Sequence, residues 1–273
     1  MNTSEIKEVA KKVRIDIIEM LAASGSGHPG GSLSIADILT LLYFDKMKIK
    51  VEDPKWEDRD RLVLSKGHAA PALYAVLAEK EYFDKIYLKT LRQVHSILQG
   101  HPDVKSTPGV DMTTGSLGQG LSAANGIALA GKLDNKDYKV YVVLGDGELQ
   151  EGQVWEAAMS AAHYKLDNVL AFVDNNGLQI DGRNEDVMNV NPITDKFAAF
   201  GWNVICANGH DLEDLSRAID IAKTVKGKPT VIIAKTVKGK GVSFMENEAG
   251  WHGVAPNDEQ TQAAIEELKG GEK

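Results

Sequence analysis

Val140-Tyr141-Val142-Val143-Leu144 runs into Gly145-Asp146-Gly147-Glu148-Leu149-Gln150-Glu151-Gly152, and a second apolar run, Val169-Leu170-Ala171-Phe172-Val173, ends in Asp174-Asn175-Asn176-Gly177-Leu178. Between them Gln153 to about Lys165 has helical character, so the stretch up to Gly182 reads as strand, Gly-rich turn, helix, strand and polar turn, one βαβ unit. Both turns then emerge at the carboxyl ends of neighbouring parallel strands, where α/β sheets place ligands. Gly145 and Gly147 let backbone approach a ligand closely. Asp146 offers a carboxylate, Asn176 an amide oxygen and Leu178 a carbonyl, a small set of hard oxygen donors suited to Mg²⁺ or Ca²⁺ beside a diphosphate. The helix entry near Gln153 would add N–H donors and a positive dipole end. A Gly-Asp-Gly tripeptide alone is more often only a tight turn.

The 273 residues suffice for one large α/β domain. With 31 basic and 39 acidic residues the net charge is −8, which argues against an extended nucleic-acid footprint. A single cysteine, Cys206, excludes an internal disulfide framework and fits a reducing, cytoplasmic setting. No apolar run is long enough to cross a membrane, and the polar first dozen residues are unlike a secretory signal.

Outward from the central unit, Ile6 to Ala23 has helical spacing, and Ser24 to Gly31 reads as a loop without regular structure, either linker or site. Ser34 is placed to cap a helix from Ile35 to about Asp45. Arg61-Leu62-Val63-Leu64 is a short strand candidate that breaks at Ser65-Lys66-Gly67-His68, before a helix from about Pro71 to Glu79. His68 at that helix entrance is a capping residue, a surface residue or an anion contact. Tyr82 to Leu98 reads as further helix. Thr113 to Leu121 is a Gly-rich turn opening a small-residue helix, Ser122 to about Leu133, suited to close packing, against another chain among the options. Lacking GxGxxG after a strand, it is a poor dinucleotide site. Beyond Gly182, Asp186 to Thr194 reads as loop, Asp195 to Phe200 as short helix, Trp202 to Cys206 as strand, Leu212 to Val225 as helix and Thr230 to Ala234 as strand. A last helix capped by Asn257 or Asp258 reaches Leu268. The basic run Lys235 to Gly241 is either a solvated tip or a phosphate-facing edge. Four of seven histidines (His28, His68, His101 and His252) fall in Gly-rich loops and suit proton transfer and hydroxyl recognition. His95, His163 and His210 read as structural.

Gly145-Asp146-Gly147, followed after 27 residues by Asn175-Asn176, resembles the cofactor signature of thiamine diphosphate enzymes. Ser26-Gly27-His28-Pro29-Gly30, Ser65-Lys66-Gly67-His68-Ala69, Gly100-His101-Pro102 and Gly145 to Gly152 together resemble transketolase. The resemblance implies a single diphosphate-binding (PP) domain over 1–273, a doubly wound, mostly parallel sheet with helices on both faces. It implies thiamine diphosphate with Mg²⁺ or Ca²⁺ held by Asp146, Asn176 and the Leu178 carbonyl. It places His68, Gly115, Leu117, Gly147, Glu148, Ile180, Lys238 and His252 at the cofactor. His28, His101 and His252 would handle substrate, and Glu151 would face the catalytic glutamate across a subunit interface.

Only the first of three transketolase domains is matched. The activating glutamate belongs to the pyrimidine-binding domain, so a split enzyme is expected, with this chain as the N-terminal one of its two kinds of subunit. The other kind, its partner, would carry the remaining two domains, two copies of each chain would assemble, and sugar phosphates would react by ketol transfer. The rivals are a deoxyxylulose-phosphate synthase-like or ketoacid dehydrogenase-like chain, and a non-catalytic cofactor-binding chain. The two histidine-proline motifs argue for transketolase over the first two.

Overall fold

The computed structural model describes residues 1–270. Five parallel strands form one sheet in the order β1-β2-β3-β7-β6: β1 (Arg61–Leu64), β2 (Val140–Gly145), β3 (Val169–Asn175), β7 (Thr230–Lys235) and, at the edge, β6 (Asn203–Asn208). β4 (Leu178–Gln179) and β5 (Gly182–Arg183) make a small antiparallel hairpin in the turn after β3. The register is in step across the central pair, from Val140 opposite Val169 to Gly145 opposite Asp174, so both ligand-bearing turns leave the sheet at one level.

The continuous apolar runs follow from burial on both faces. Tyr141, Val143, Leu170, Phe172 and Ile232 face one core, shared with α1 (Thr3–Ser24), α3 (Ala36–Leu41), α4 (Ala70–Glu79) and α9 (Leu212–Thr224). Val140, Val142, Leu144, Val169, Ala171, Val173 and Val231 face the other, under α5 (Gln119–Leu133), α6 (Gly152–His163) and α8 (Ile193–Ala199). This is the period-2 alternation of a strand with two apolar sides. The expected doubly wound architecture is therefore present. β3 leads to α8 on one face, while its neighbour β7 is entered from α9 on the other, so β3 and β7 flank the crevice where the winding reverses.

α1 begins at an Asn2–Glu5 capping box, and α10 (Asp258–Lys269) at an Asn257–Gln260 one. The small-residue helix α5 packs on α6 of its own chain.

Four local expectations need correction. The loop before Ile35 contains a short helix, α2 (Pro29–Leu33), because Pro29 supplies a preset first-turn φ and needs no hydrogen bond there. Ser34 does not cap the start of α3: it closes α2, its hydroxyl lies 2.6 Å from Asp174 Oδ2 as donor, and Ile35 precedes α3, which ends in a π turn at Leu42–Lys46. Tyr82 to Leu98 is not a helix. It holds one 3₁₀ segment, Lys85–Thr90, and then Arg92 and His95 take positive φ of 62° and 66°, which no α-helix accommodates. A four-residue helix, α7 (Asn184–Val187), intrudes on the loop expected at 186–194, whereas α6 starts at Gly152, as expected, after a 3₁₀ turn at Gly147–Gln150.

Candidate active site

The carboxyl edge of β1, β2, β3 and β7 opens into a cavity of about 360 Å³. Its lining includes His28, His68, Gly115, Leu117, Asp146, Gly147, Glu148, Glu151, Asn176, Leu178, Ile180, Lys238 and His252. All of the residues expected at the cofactor or metal line this one space. His101 does not. It stands at the rim, its ring against Gly115: a Cβ there would lie 2.9 Å from His101 Cγ, and Gly115 has φ 140°. Gly67 is equally constrained, since a Cβ would come within 2.7 Å of the Gly115 amide. The loop bearing Gly115 and Leu117 is thereby pressed onto the turn bearing His68.

On the acidic side, Asp146 is 2% exposed and accepts from the Gly147 amide at 2.8 Å and the Gly177 amide at 2.5 Å. It thus grips the turn after β3 from the turn after β2. Burial first, then the charge of Asp174, pushes its carboxyl up to about 6. The Asn176 amide oxygen accepts from the Leu178 amide at 3.0 Å. The Gly147 amide is spent on the Asp146 carboxylate.

Glu148 is 3% exposed and its carboxylate is fully engaged: it accepts from Ser65 Oγ, from the Gly118 amide at 2.9 Å and from the Gly145 amide at 3.0 Å. It braces three loops around the cavity. Burial raises its carboxyl.

Opposite lies a basic side. The rings of His28, His68 and His252 form a triangle with centroids 5.2, 5.2 and 5.4 Å apart. Lys238, also 2% exposed, meets His252 Nδ1 at 3.0 Å. Burial, and then the Lys66 charge, lowers the Lys238 amine to about 8. Burial, then Lys238, lowers His252 to about 3, and burial, then Arg92, lowers His28 to about 4. His68 is driven well below its ordinary value by burial and then by Lys66. All three imidazoles are neutral at pH 7.

The loop carrying Lys238 is fixed from behind. His210 Nε2 accepts the Val237 amide at 2.9 Å, and its Nδ1 donates to Asp37 Oδ2 at 2.8 Å, which sets the neutral tautomer. Asp37 is also bidentate to Arg14, whose Nε donates to the Lys240 carbonyl at 3.1 Å. His210 is therefore structural, as expected, and His95 and His163 lie away from the cavity on the exposed surface.

These features fit a diphosphate and a divalent cation. A buried amine near carboxylates but in salt-bridge contact with none is a place for an anion. The buried His28 Nδ1 and Thr114 Oγ1 have no hydrogen-bond partner. A buried carboxylate already raised by a like charge gains from a cation. Among the described residues no group of three or more His, Cys, Asp or Glu could hold a metal unaided, as expected if two of the protein donors are an amide and a carbonyl and a ligand supplies the rest.

Sequence reasoning missed Asp174, Ser34 and Thr236, which meet beneath the cavity, Lys66, which reaches them from its lining, and the Glu148 brace. Lys66 and Asp174 each sit beside a motif residue, but no spacing signals that they pair.

Residues 5–270 match the family model of the transketolase thiamine diphosphate binding domain. The chain is 46% identical to the 6-deoxy-6-sulfo-D-fructose transketolase subunit SqwG of Clostridium sp. (strain MSTE9), covering 97% of this chain and 96% of that protein. It is 43% identical to an apulose-4-phosphate transketolase subunit of Phocaeicola vulgatus, over 98% and 95%. Human transketolase is 44% identical, but the chain, matched over 96% of its own length, spans only 42% of that protein. The crystal structure of Campylobacter jejuni transketolase superposes with a TM-score of 0.92 at 37% identity, over 98% of this chain and 43% of the other. Over almost its whole length, this chain belongs to the transketolase family, as a thiamine diphosphate-binding domain of the kind found in separate transketolase subunits.

Proposed function

We propose that this chain is the diphosphate-binding subunit of a split, thiamine diphosphate-dependent transketolase, working with a second chain that carries the pyrimidine-binding and third domains. The observation that carries this is a single cavity with oxygen donors on one wall and Lys238 with three neutral histidines on the other. Near-complete coverage of two subunit-sized transketolase relatives supports the division into two chains. Two copies of each are the expected assembly, with each site closed at an interface where Glu151 faces the partner.

Asp146, Asn176 and the Leu178 carbonyl would hold Mg²⁺ or Ca²⁺. Lys238, His68, His252 and Gly147 would face the diphosphate, with the anion offsetting the crowding of positive charge. Gly115, Leu117 and Ile180 would line the cofactor's organic part, with Glu148 holding the Gly118 end of that loop. Thiamine diphosphate, when bound, supplies the nucleophile that carries a two-carbon ketol unit from a ketose to an aldose.

This chain's histidines do the proton work. A neutral imidazole offers one acceptor and one donor nitrogen. His28 and His252, with values near 4 and 3 in the free chain, are neutral at pH 7 and would hydrogen-bond substrate hydroxyls; a bound anion would raise them toward the range of a proton acceptor. His101 at the rim would meet the substrate before it reaches the triangle. Donors of the relatives' kinds, a sulfonated or phosphorylated ketose, are the first substrates to test, alongside xylulose 5-phosphate of the pentose phosphate route.

The test is ketol transfer from each donor to ribose 5-phosphate by the chain mixed with a candidate partner chain, with cofactor and Mg²⁺. Transfer without pyruvate consumption or CO₂ release supports transketolase. A pyruvate requirement would move the chain to the synthase or dehydrogenase-like reading.

A further inference from the structure

Asp174 is completely buried at the end of β3 and lies beneath the cavity rather than in its lining. Its Oδ1 accepts from the Thr236 hydroxyl. Its Oδ2 accepts from Ser34 Oγ at 2.6 Å, Lys66 Nζ at 2.5 Å and Asn176 Nδ2 at 3.0 Å. Four donors from four separate segments converge on one carboxylate. Lys66, 2% exposed, also donates to the Gly31 carbonyl at 2.9 Å, tying the His28 segment to the same point.

The Lys66 ammonium and the hydroxyls of Ser34 and Thr236 all donate to Asp174, so both of its oxygens act as acceptors with Lys66 as the counter-charge. An ionised carboxylate only accepts hydrogen bonds. It therefore admits one orientation of the neighbouring Asn176 carboxamide. The NH₂ must turn toward Asp174, which leaves the oxygen on the far side, where it accepts the Leu178 amide and retains a second lone pair. The flipped amide would set its oxygen against the carboxylate.

We propose that Asp174, paired with Lys66, is a positioning residue that orients Asn176 so that its oxygen, not its nitrogen, is offered to the divalent cation. This rests on Asn176 being a metal ligand, as in the proposed function. An asparagine at 174 could donate as well as accept, so the orientation would no longer be enforced.

The test uses the full-length chain in two measurements. Hydrogen exchange of the Asn176 carboxamide, by NMR, should be slow in the wild type without metal or cofactor. Fast exchange there would overturn the proposal and needs no variant. Calorimetric titration with thiamine diphosphate, with Mg²⁺ and with chelator, then gives the metal-dependent part of the affinity. Asp174→Asn should lower it by roughly 10- to 100-fold, the usual effect of removing a group that orients a metal ligand. Thr236→Val removes a donor that does not touch Asn176. It should lower the melting temperature and leave the metal dependence intact. The double variant Lys66→Met/Asp174→Asn removes the paired charges together and serves if the single variant does not fold. Metal dependence retained in either Asp174 variant, or lost in Thr236→Val in step with its melting temperature, would reduce Asp174 to a structural residue. If the wild type shows no metal-dependent binding either alone or mixed with the partner chain, Asn176 as ligand fails, and the exchange measurement still decides whether Asp174 holds the amide.

Discussion

The two walls of the cavity are built on opposite terms. On the acidic wall, Glu148 is saturated by Ser65 and two backbone amides, and Asp146 and Asn176 are each fixed by donors of the chain, with Asp174 bracing Asn176 from beneath. On the basic wall, three histidines crowd one another, His28 Nδ1 is buried without a partner, and Lys238 meets another basic group. The first wall is rigid because low dielectric makes each satisfied bond costly to break. The second keeps unfilled hydrogen-bonding capacity and net positive potential, which only an anionic, hydroxyl-rich guest can satisfy. The chain has thus finished the part that holds a cation and left open the part that meets phosphate and sugar.

The largest effect is expected from breaking the acidic wall. Asp146→Ala removes a carboxylate that joins both turns, and metal-dependent thiamine diphosphate affinity should fall by about 100-fold or more, beyond what orienting residues cost. Unchanged affinity by calorimetry would remove Asp146 from the metal site. His101→Ala probes the open wall. It should leave cofactor affinity unchanged and reduce ketol transfer by roughly 10²-fold or more, as for loss of an acid–base group. Equal losses of affinity and activity would contradict its place at the rim.

Lys238 sharpens the contrast through pH. Its amine sits at about 8 in the free chain, and a bound diphosphate raises it. The bound state then holds more protons, so binding near pH 8 takes protons up and affinity falls as pH rises through 8. Calorimetry in buffers of different ionisation enthalpy measures the uptake. Lys238→Met should abolish it and cost about 10-fold in affinity, the scale of one charge-assisted hydrogen bond. Uptake persisting in the variant would assign the proton to another group. The smallest effect belongs to His163→Gln, on the exposed end of α6, which should change neither affinity nor turnover. A measurable loss would mean that surface is covered in the working assembly.

Much of this site was legible in the sequence because its parts are local. Gly145 to Gly147 and Asn175 to Leu178 sit at the ends of two strongly apolar, register-matched strands, so strand ends and ligand turns could be read together. The histidine loops could be read because each carries its own glycines. The Asp174 hub could not: its partners lie 140, 108 and 62 residues away in sequence, and only the folded sheet brings them together. Ser34 reads as a helix cap because serine before an apolar helix usually is one, and the buried carboxylate claims it instead. Tyr82 to Leu98 fails as helix for a backbone reason, the left-handed Arg92 and His95, which side-chain periodicity does not reveal.

The most direct test is reconstitution. The chain is assayed for ketol transfer with thiamine diphosphate and Mg²⁺, alone and mixed with a candidate partner chain bearing the pyrimidine-binding and third domains. No turnover is expected from the chain alone, turnover is expected with the partner, and that turnover should be lost when Asp146→Ala replaces the wild type. Full turnover by the chain alone would contradict this, since the activating carboxylate would then have to lie within these 273 residues.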